Sequence, residues 1–186
     1  MALTYSQDLP LGSVAPDFSL LGVDGETYNL SSFASARALL VIFICNHCPY
    51  VIAIQDRLKL LAETYAEAGL RVIAINSNDA ERYPADSLTA MRIRAKELSY
   101  SFPYCIDATQ ETARAFRAAC TPDPYLFSRE GNEFRLRYHG RVDDQWKDET
   151  AVQHRDLAVA VEAVLTGRVP NAVQTPSMGC SIKWVP

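Results

Sequence analysis

No apolar run in this 186-residue chain approaches the roughly 20 residues that a membrane-spanning helix needs. There is no excess of positive charge either: 18 Lys and Arg stand against 22 Asp and Glu, a formal net charge of -4. A basic stripe for nucleic acid is therefore not expected. The opening Met1–Asp8 has no basic start and no hydrophobic segment, so it does not read as a secretory signal. Histidines number only three, and the single Cys-x-x-Cys has no second ligand pair at similar spacing, so neither a structural zinc nor another cofactor is expected. Internal repeats and low-complexity segments are absent. The five cysteines form an odd count with no export signal beside them. That suits working thiols in a reducing cytoplasm better than a disulfide framework, and the expected location is cytoplasmic.

What the chain does have is 48% hydrophobic residues, enough for a full core in one domain. The most informative stretch is Ala38–Tyr50. Ala38 to Ile44 run without a polar residue into Cys45-Asn46-His47-Cys48-Pro49. A short run with no polar alternation reads as a central strand buried on both faces. Val51, Ile54, Leu58, Leu61, Ala62 and Tyr65 then recur at helical spacing until Gly69. The cysteines thus sit where a buried strand hands over to a helix, the end of the strand at which open α/β sheets form sites. Pro49 suits the first turn, whose N–H groups have no helical partner.

A sulfur at a helix N-terminus faces unpaired N–H groups and the positive end of the macrodipole, and both favour the thiolate. On this reading Cys45 is the nucleophile at the first helical position. Cys48, one turn further in, attacks a mixed disulfide on Cys45 and releases the product. His47, when cationic, stabilises the Cys45 thiolate further, and its bland counterpart is a plain surface histidine. A stabilised dithiol makes the disulfide a better oxidant, so a potential less reducing than that of a thioredoxin is expected, and a redox titration tests it. Against redox chemistry stand two duller readings, a zinc half-site and inert core cysteines. The strand-to-helix junction argues for the redox pair.

The rest of the chain reads in order. Asp17–Leu21 and Glu26–Tyr28 flank an Asp24-Gly25 turn as a β-hairpin. Leu30–Phe33 is a helical turn, and Leu70–Asn76 a second buried strand parallel to the first through a right-handed crossover. Ser77-Asn78-Asp79 reads as turn chemistry at that strand's end. A helix capped by Asp86 or Ser87 carries Leu88, Met91, Ala95 and Leu98 on one face. A short strand is expected over Phe102–Ile106, a short helix over Gln110–Ala118, and one strand over Cys120–Phe127. Phe134, Leu136 and Tyr138 alternate with charged residues as a half-exposed antiparallel strand. The last helix runs from about Arg155 to Leu165. Arg141, Asp143 and Asp144 read as surface ion pairs, and Cys105 and Cys120 as packing residues.

Cys45-Asn46-His47-Cys48 after a buried strand, Thr121-Pro122 before a later one, and the closing hairpin and helix resemble the thioredoxin fold. Val14-Ala15-Pro16-Asp17-Phe18 and the extra helix resemble the redoxin branch, the alkyl hydroperoxide reductase and thiol-specific antioxidant group. Asn46–Tyr50, Cys120–Asp123 and Gly179–Trp184 are similar to a peroxiredoxin-like subfamily that carries a Cys-x-x-Cys. The resemblance implies an α/β thioredoxin-like fold, a central mixed sheet flanked by helices, with an N-terminal β-hairpin and an inserted helix. Residues 1–166 read as the domain, and 167–186, which lack periodicity, as a tail packed on it or on a neighbour. The resemblance also implies that Pro122 is a cis-proline facing the dithiol, with the Thr121 backbone turned toward the substrate chain, and that Asn46, His47, Thr121 and Pro122 tune the pair or face substrate.

Departures from the family pattern are specific. Ile44 replaces the tryptophan that thioredoxins place before the first cysteine, and Ala38 to Ile44 hold no acid to take the second cysteine's proton. Peroxiredoxins have Thr-x-x-Cys at this junction, which puts Cys45 at the threonine position and Cys48 at the peroxidatic one. Their peroxide-holding arginine is missing around Asp123. In the tail, Met178, Ile182, Trp184 and Val185 are too apolar to stay in water, and Cys180 is a candidate third redox thiol or a plain buried cysteine. The expected activity is thiol–disulfide exchange on a protein disulfide, with an unidentified thiol reductant recycling the pair. The alternatives are a thiol-dependent peroxidase acting on a small peroxide, and a non-catalytic binding module of the same fold.

Overall fold

A computed structural model describes residues 3–186. Ten strands form two sheets among the described residues: β1 Leu3–Tyr5, β2 Ser19–Gly22, β3 Thr27–Asn29, β4 Ala38–Phe43, β5 Leu70–Asn76, β6 Tyr104–Ile106, β7 Cys120–Thr121, β8 Asp123–Glu130, β9 Glu133–His139 and β10 Met178–Ser181. Four α-helices accompany them: α1 Pro49–Tyr65, α2 Leu88–Glu97, α3 Glu111–Phe116 and α4 Asp156–Leu165. The large sheet has the order β3-β2-β6-β5-β4-β8-β9. β4 pairs parallel to β5 and antiparallel to β8, so the sheet is mixed. Among the described residues no helix is long and apolar enough to cross a membrane.

β4 lies inside the sheet, between β5 and β8, and every one of its residues is apolar and buried. Its alternation divides the core into two layers. Leu40, Ile42 and Ile44 pack with Ile54 and Leu58 of α1 and Leu157 and Val161 of α4. Leu39, Val41 and Phe43 pack on the other face with Phe18, Phe33, Phe127 and Phe116 of α3. Each such side chain contributes roughly 1.5–3 kcal/mol by leaving water. The strand is thereby fixed along its length, and so is the chain that leaves its carboxyl end. The half-buried pattern of β9 follows its sequence, with Phe134, Leu136 and Tyr138 inward.

Four details refine or change the sequence reading. The single strand expected over Cys120–Phe127 is two: the cis Thr121–Pro122 peptide separates β7 from β8, and the two belong to different sheets. Ser87 caps α2 through its side chain to the Ala90 N–H, while Asp86 is withdrawn into the interior. Of the expected apolar face of α2, only Met91 is buried within the helix. Residues 167–186 contain β10, which lies between β1 and β7 in the small sheet, with Cys180 opposite Leu3 on one side and Thr121 on the other. Beyond β10, Ile182 enters the core and its N–H reaches the Ala119 carbonyl at 3.0 Å.

Candidate redox site

The turn that leaves β4 is held by one residue with all its polar atoms engaged. Asn46 donates its backbone N–H to Asp86 at 2.8 Å and its side-chain amide to the Ala85 carbonyl at 2.8 Å. Its side-chain oxygen accepts from Tyr104 at 3.0 Å, and its carbonyl from Arg94 at 3.1 Å. The chain can then begin α1, whose N-cap is Cys48 and whose first helical residue is Pro49. This corrects the assignment of the helix start to Cys45. Two residues separate Cys45 from the cap, and Cys48 is the sulfur at the helix N-terminus.

Thr121 lies between the two sulfurs of the motif. Its hydroxyl is 3.4 Å from Cys45 Sγ, and its carbonyl oxygen is 3.2 Å from Cys48 Sγ. On the far side of Cys48 lies Cys180, with the two Sγ atoms 3.0 Å apart. The structure thus brings Cys45, Cys48, Thr121, Pro122 and Cys180 together. Cys45, Cys48 and Cys180 are all buried, at 2%, 0% and 2% exposure, so the site is covered.

The covering element is the tail. β10 takes the Thr121 edge, where the sequence reading placed an incoming substrate chain, so that pairing position belongs to the chain's own Cys180. The Ser77–Asn78–Asp79 loop, read from sequence as turn chemistry, helps hold the tail down: Asn78 accepts from the Lys183 N–H at 2.8 Å, and the Asp79 N–H donates to the Lys183 carbonyl at 2.8 Å.

The electrostatics separate the two motif cysteines. A thiol hydrogen bond from Cys45 holds Cys48 well below the ordinary thiol range, and this outweighs the cost of burial. The Cys180 thiol and the Val51 and Cys180 backbone N–H groups act in the same direction. The Thr121 carbonyl accepts the proton of the neutral Cys48 thiol and so opposes ionisation. Cys45 is pushed far up, first by its contact with Cys48, then by burial and by the Asp86 charge. With Cys48 at the helix N-terminus, these directions favour a thiolate on Cys48 over the one expected on Cys45.

His47 is also reassigned. Its Nδ1 lies 2.7 Å from Asp86 Oδ2, out of line for a hydrogen bond, and its ring stacks on Tyr83. Its ring is turned toward a carboxylate, and Asp86 raises Cys45 rather than lowering it. Cys45, His47 and Asp86 each bring a donor atom within 4.8 Å of the others, a spacing that could hold a metal ion. Both Asp86 oxygens also accept hydrogen bonds, from Asn46 and from Asn78.

Two residues of the site were missed by sequence reasoning. Asp86 was read as a helix cap because it stands beside Ser87, and its full burial was the feature that spacing does not reveal. Asp123, directly after the cis-proline, is also fully buried, 2.9 Å from His139 Nε2 and accepting from Tyr125 at 3.0 Å. Burial pushes its carboxyl up, against the favourable His139 contact. It stands in β8 opposite Phe43, whose layer of the core is the one away from Cys45 and Cys48. Asp143 is likewise not a surface residue: it pairs in the interior with Arg57 of α1, fixing the loop that carries Trp146. That loop, Tyr50 and Pro122 border a groove of about 130 Å³ beside the covered site.

A family model described as Redoxin matches residues 10–154. No curated protein matches the chain. Two solved structures are similar over nearly the whole length. A hypothetical protein from Sinorhizobium meliloti 1021 is 44% identical, with 98% of each chain covered and a TM-score of 0.92. An uncharacterized conserved protein from Geobacillus kaustophilus is 43% identical, over 100% of this chain and 98% of the other, with a TM-score of 0.93. A thiol:disulfide interchange protein of the thioredoxin family from Chlorobium tepidum TLS shares the fold at 20% identity, over 86% of this chain and 99% of the other, with a TM-score of 0.61.

Proposed function

The chain belongs to the redoxin family, and from that premise we propose that it is a thiol–disulfide oxidoreductase whose reacting sulfur is Cys48. The observation that carries this reading is the position of Cys48: it caps α1, lies against Thr121 of the cis peptide, and has a second thiol on either side. A thiolate there attacks a disulfide and forms a mixed disulfide. Cys45 and Cys180 both lie beside Cys48, and a thiol in either place can complete the exchange. An external thiol reductant then restores the reduced site.

Substrate class follows from the covered edge. Because β10 occupies the pairing side of Thr121 and Cys48 is fully buried, a protein strand must displace the whole of β10 before it can align, whereas a compact disulfide needs only a local opening over Cys48. Reduction of bis(2-hydroxyethyl) disulfide and of insulin by dithiothreitol, with wild type and Cys48→Ser, tests the reading. The expected result is catalysis of the small disulfide over insulin, lost in Cys48→Ser. Equal rates for Cys48→Ser and wild type contradict it.

A thiol-dependent peroxidase is the second reading. It is favoured by the coincidence of the lowered thiol with the position that peroxiredoxins use for the peroxidatic cysteine, as the resemblance to a peroxiredoxin-like subfamily implies. Peroxide consumption with a sulfenic acid trapped on Cys48 supports it, and its absence removes it.

A further inference from the structure

Cys180 stands where it does because of the strand around it. β10 is held on both edges, by β1 and by β7, and Cys180 is the residue paired with Thr121. The turns on either side are tied as well: Ser177 donates its hydroxyl to the Pro122 carbonyl at 2.7 Å, and the Ile182 N–H reaches Ala119 at 3.0 Å. The preceding residue is glycine for a reason of space, since a Cβ at Gly179 would overlap the Thr121 carbonyl oxygen. The 3.0 Å separation of the Cys48 and Cys180 sulfurs needs a closing movement of about 1 Å to reach a disulfide bond.

We propose that Cys180 is the thiol that completes the exchange at Cys48, so that the oxidised site holds a Cys48–Cys180 disulfide and leaves Cys45 as a thiol. This rests on the reading of Cys48 as the reacting sulfur. The Cys48 thiolate attacks one sulfur of a small disulfide, the S–S bond breaks, and one substrate thiolate departs with the electron pair. Cys180 then gives up its proton, to the departed thiolate, and attacks the Cys48 sulfur. The bond between Cys48 and the bound half breaks, and the second substrate thiolate leaves. The substrate gains two electrons, and the protein loses two in forming its own disulfide.

The surroundings favour Cys180 over Cys45 at the second step. The Cys180 thiol is pushed up to about 12 by burial and by its contact with Cys48, and is drawn down by Lys183. Once Cys48 is bound in a mixed disulfide it carries no charge, and its opposition to a Cys180 thiolate ends. Cys45 is relieved of Cys48 in the same way but keeps the Asp86 carboxylate beside it. The acid lies next to one candidate and the lysine next to the other.

The test is disulfide mapping on the full chain. The reduced protein is treated with oxidised glutathione, its remaining thiols are alkylated, and trypsin releases Cys180 within residues 169–183 and Cys48, with Cys45, within residues 38–57. The expected product is a cross-link between the two peptides, with alkyl on Cys45 located by fragmentation. A Cys45–Cys48 link with Cys180 alkylated overturns this proposal and leaves the thiol–disulfide reading standing. No link and no glutathione adduct overturns both. In Cys180→Ser the glutathione adduct on Cys48 is expected to persist roughly tenfold longer or more, because the positioned second thiol is gone. Unchanged decay of the adduct in that variant also overturns it.

Discussion

The Asp86 carboxylate lies within 4.8 Å of the Cys45 sulfur, and both are buried. An acid at that distance opposes a second negative charge, and so adds to the Cys48 contact and to burial in pushing the Cys45 thiol up. Asp86→Asn removes the charge while keeping the shape. The Cys45 thiol is expected to titrate lower, and its alkylation at neutral pH to rise about tenfold for each unit of that change. Alkylation resolved by residue, across pH, checks it. The variant also weakens the acceptor for the Asn46 N–H, so a stability loss of about 1–3 kcal/mol is expected in denaturant.

Gly179→Ala tests the packing of the tail. The added methyl meets the Thr121 carbonyl oxygen, so β10 must move off β7. The expected loss is about 1–3 kcal/mol, with faster alkylation of Cys48 as its cover loosens. A variant with wild-type stability and wild-type Cys48 protection contradicts the close approach.

Asp143→Ala tests the loop beside the groove. Arg57 and Asp143 are both almost fully buried, and Arg57 also donates to the Gln145 and Trp146 carbonyls. Removing the acid leaves a guanidinium without its counter-charge in the interior, at a cost of about 3–5 kcal/mol. Thermal and urea unfolding check it, and a loss below about 1 kcal/mol would place the pair in solvent.

Alkaline pH is expected to destabilise the fold through its buried thiols. Cys105 is pushed up to about 12, chiefly by burial, from an ordinary value of 9.0. Between those values the unfolded chain has lost a proton that the folded chain keeps, so unfolding releases protons and is favoured as pH rises. The contribution is complete below pH 9 and fades toward pH 12; Cys105 alone removes about 1.4 kcal/mol per pH unit in that window. Urea midpoints at pH 7.5, 9 and 10 should fall, and a midpoint that rises contradicts the direction.

Much of this architecture was legible in the residues. The unbroken apolar run of β4, the alternation of β9 and the helical spacing of α1 each have one low-energy reading, and each sits where that reading places it. The thiol pair and Thr121-Pro122 were legible as motifs. The remainder depended on contacts distant in sequence. β1 and β10 are three and four residues long and carry no alternation, so only their pairing defines them. Asp143 and its partner are 86 residues apart, and a charged residue with a distant partner reads as exposed. The choice between Cys45 and Cys48 as the capping sulfur turned on where the first helical turn closes. Spacing fixes that to within about one turn, which is the separation of the two cysteines.

The pH dependence of iodoacetamide alkylation, resolved between Cys45 and Cys48 by mass spectrometry, tests the central assignment most directly. Cys48 should react at a rate that stays flat from pH 8 to about 6, because its thiolate persists there, while Cys45 reacts slowly and only faster as pH rises. A flat, fast profile at Cys45 together with a rising one at Cys48 would return the nucleophile to the first cysteine and contradict the account.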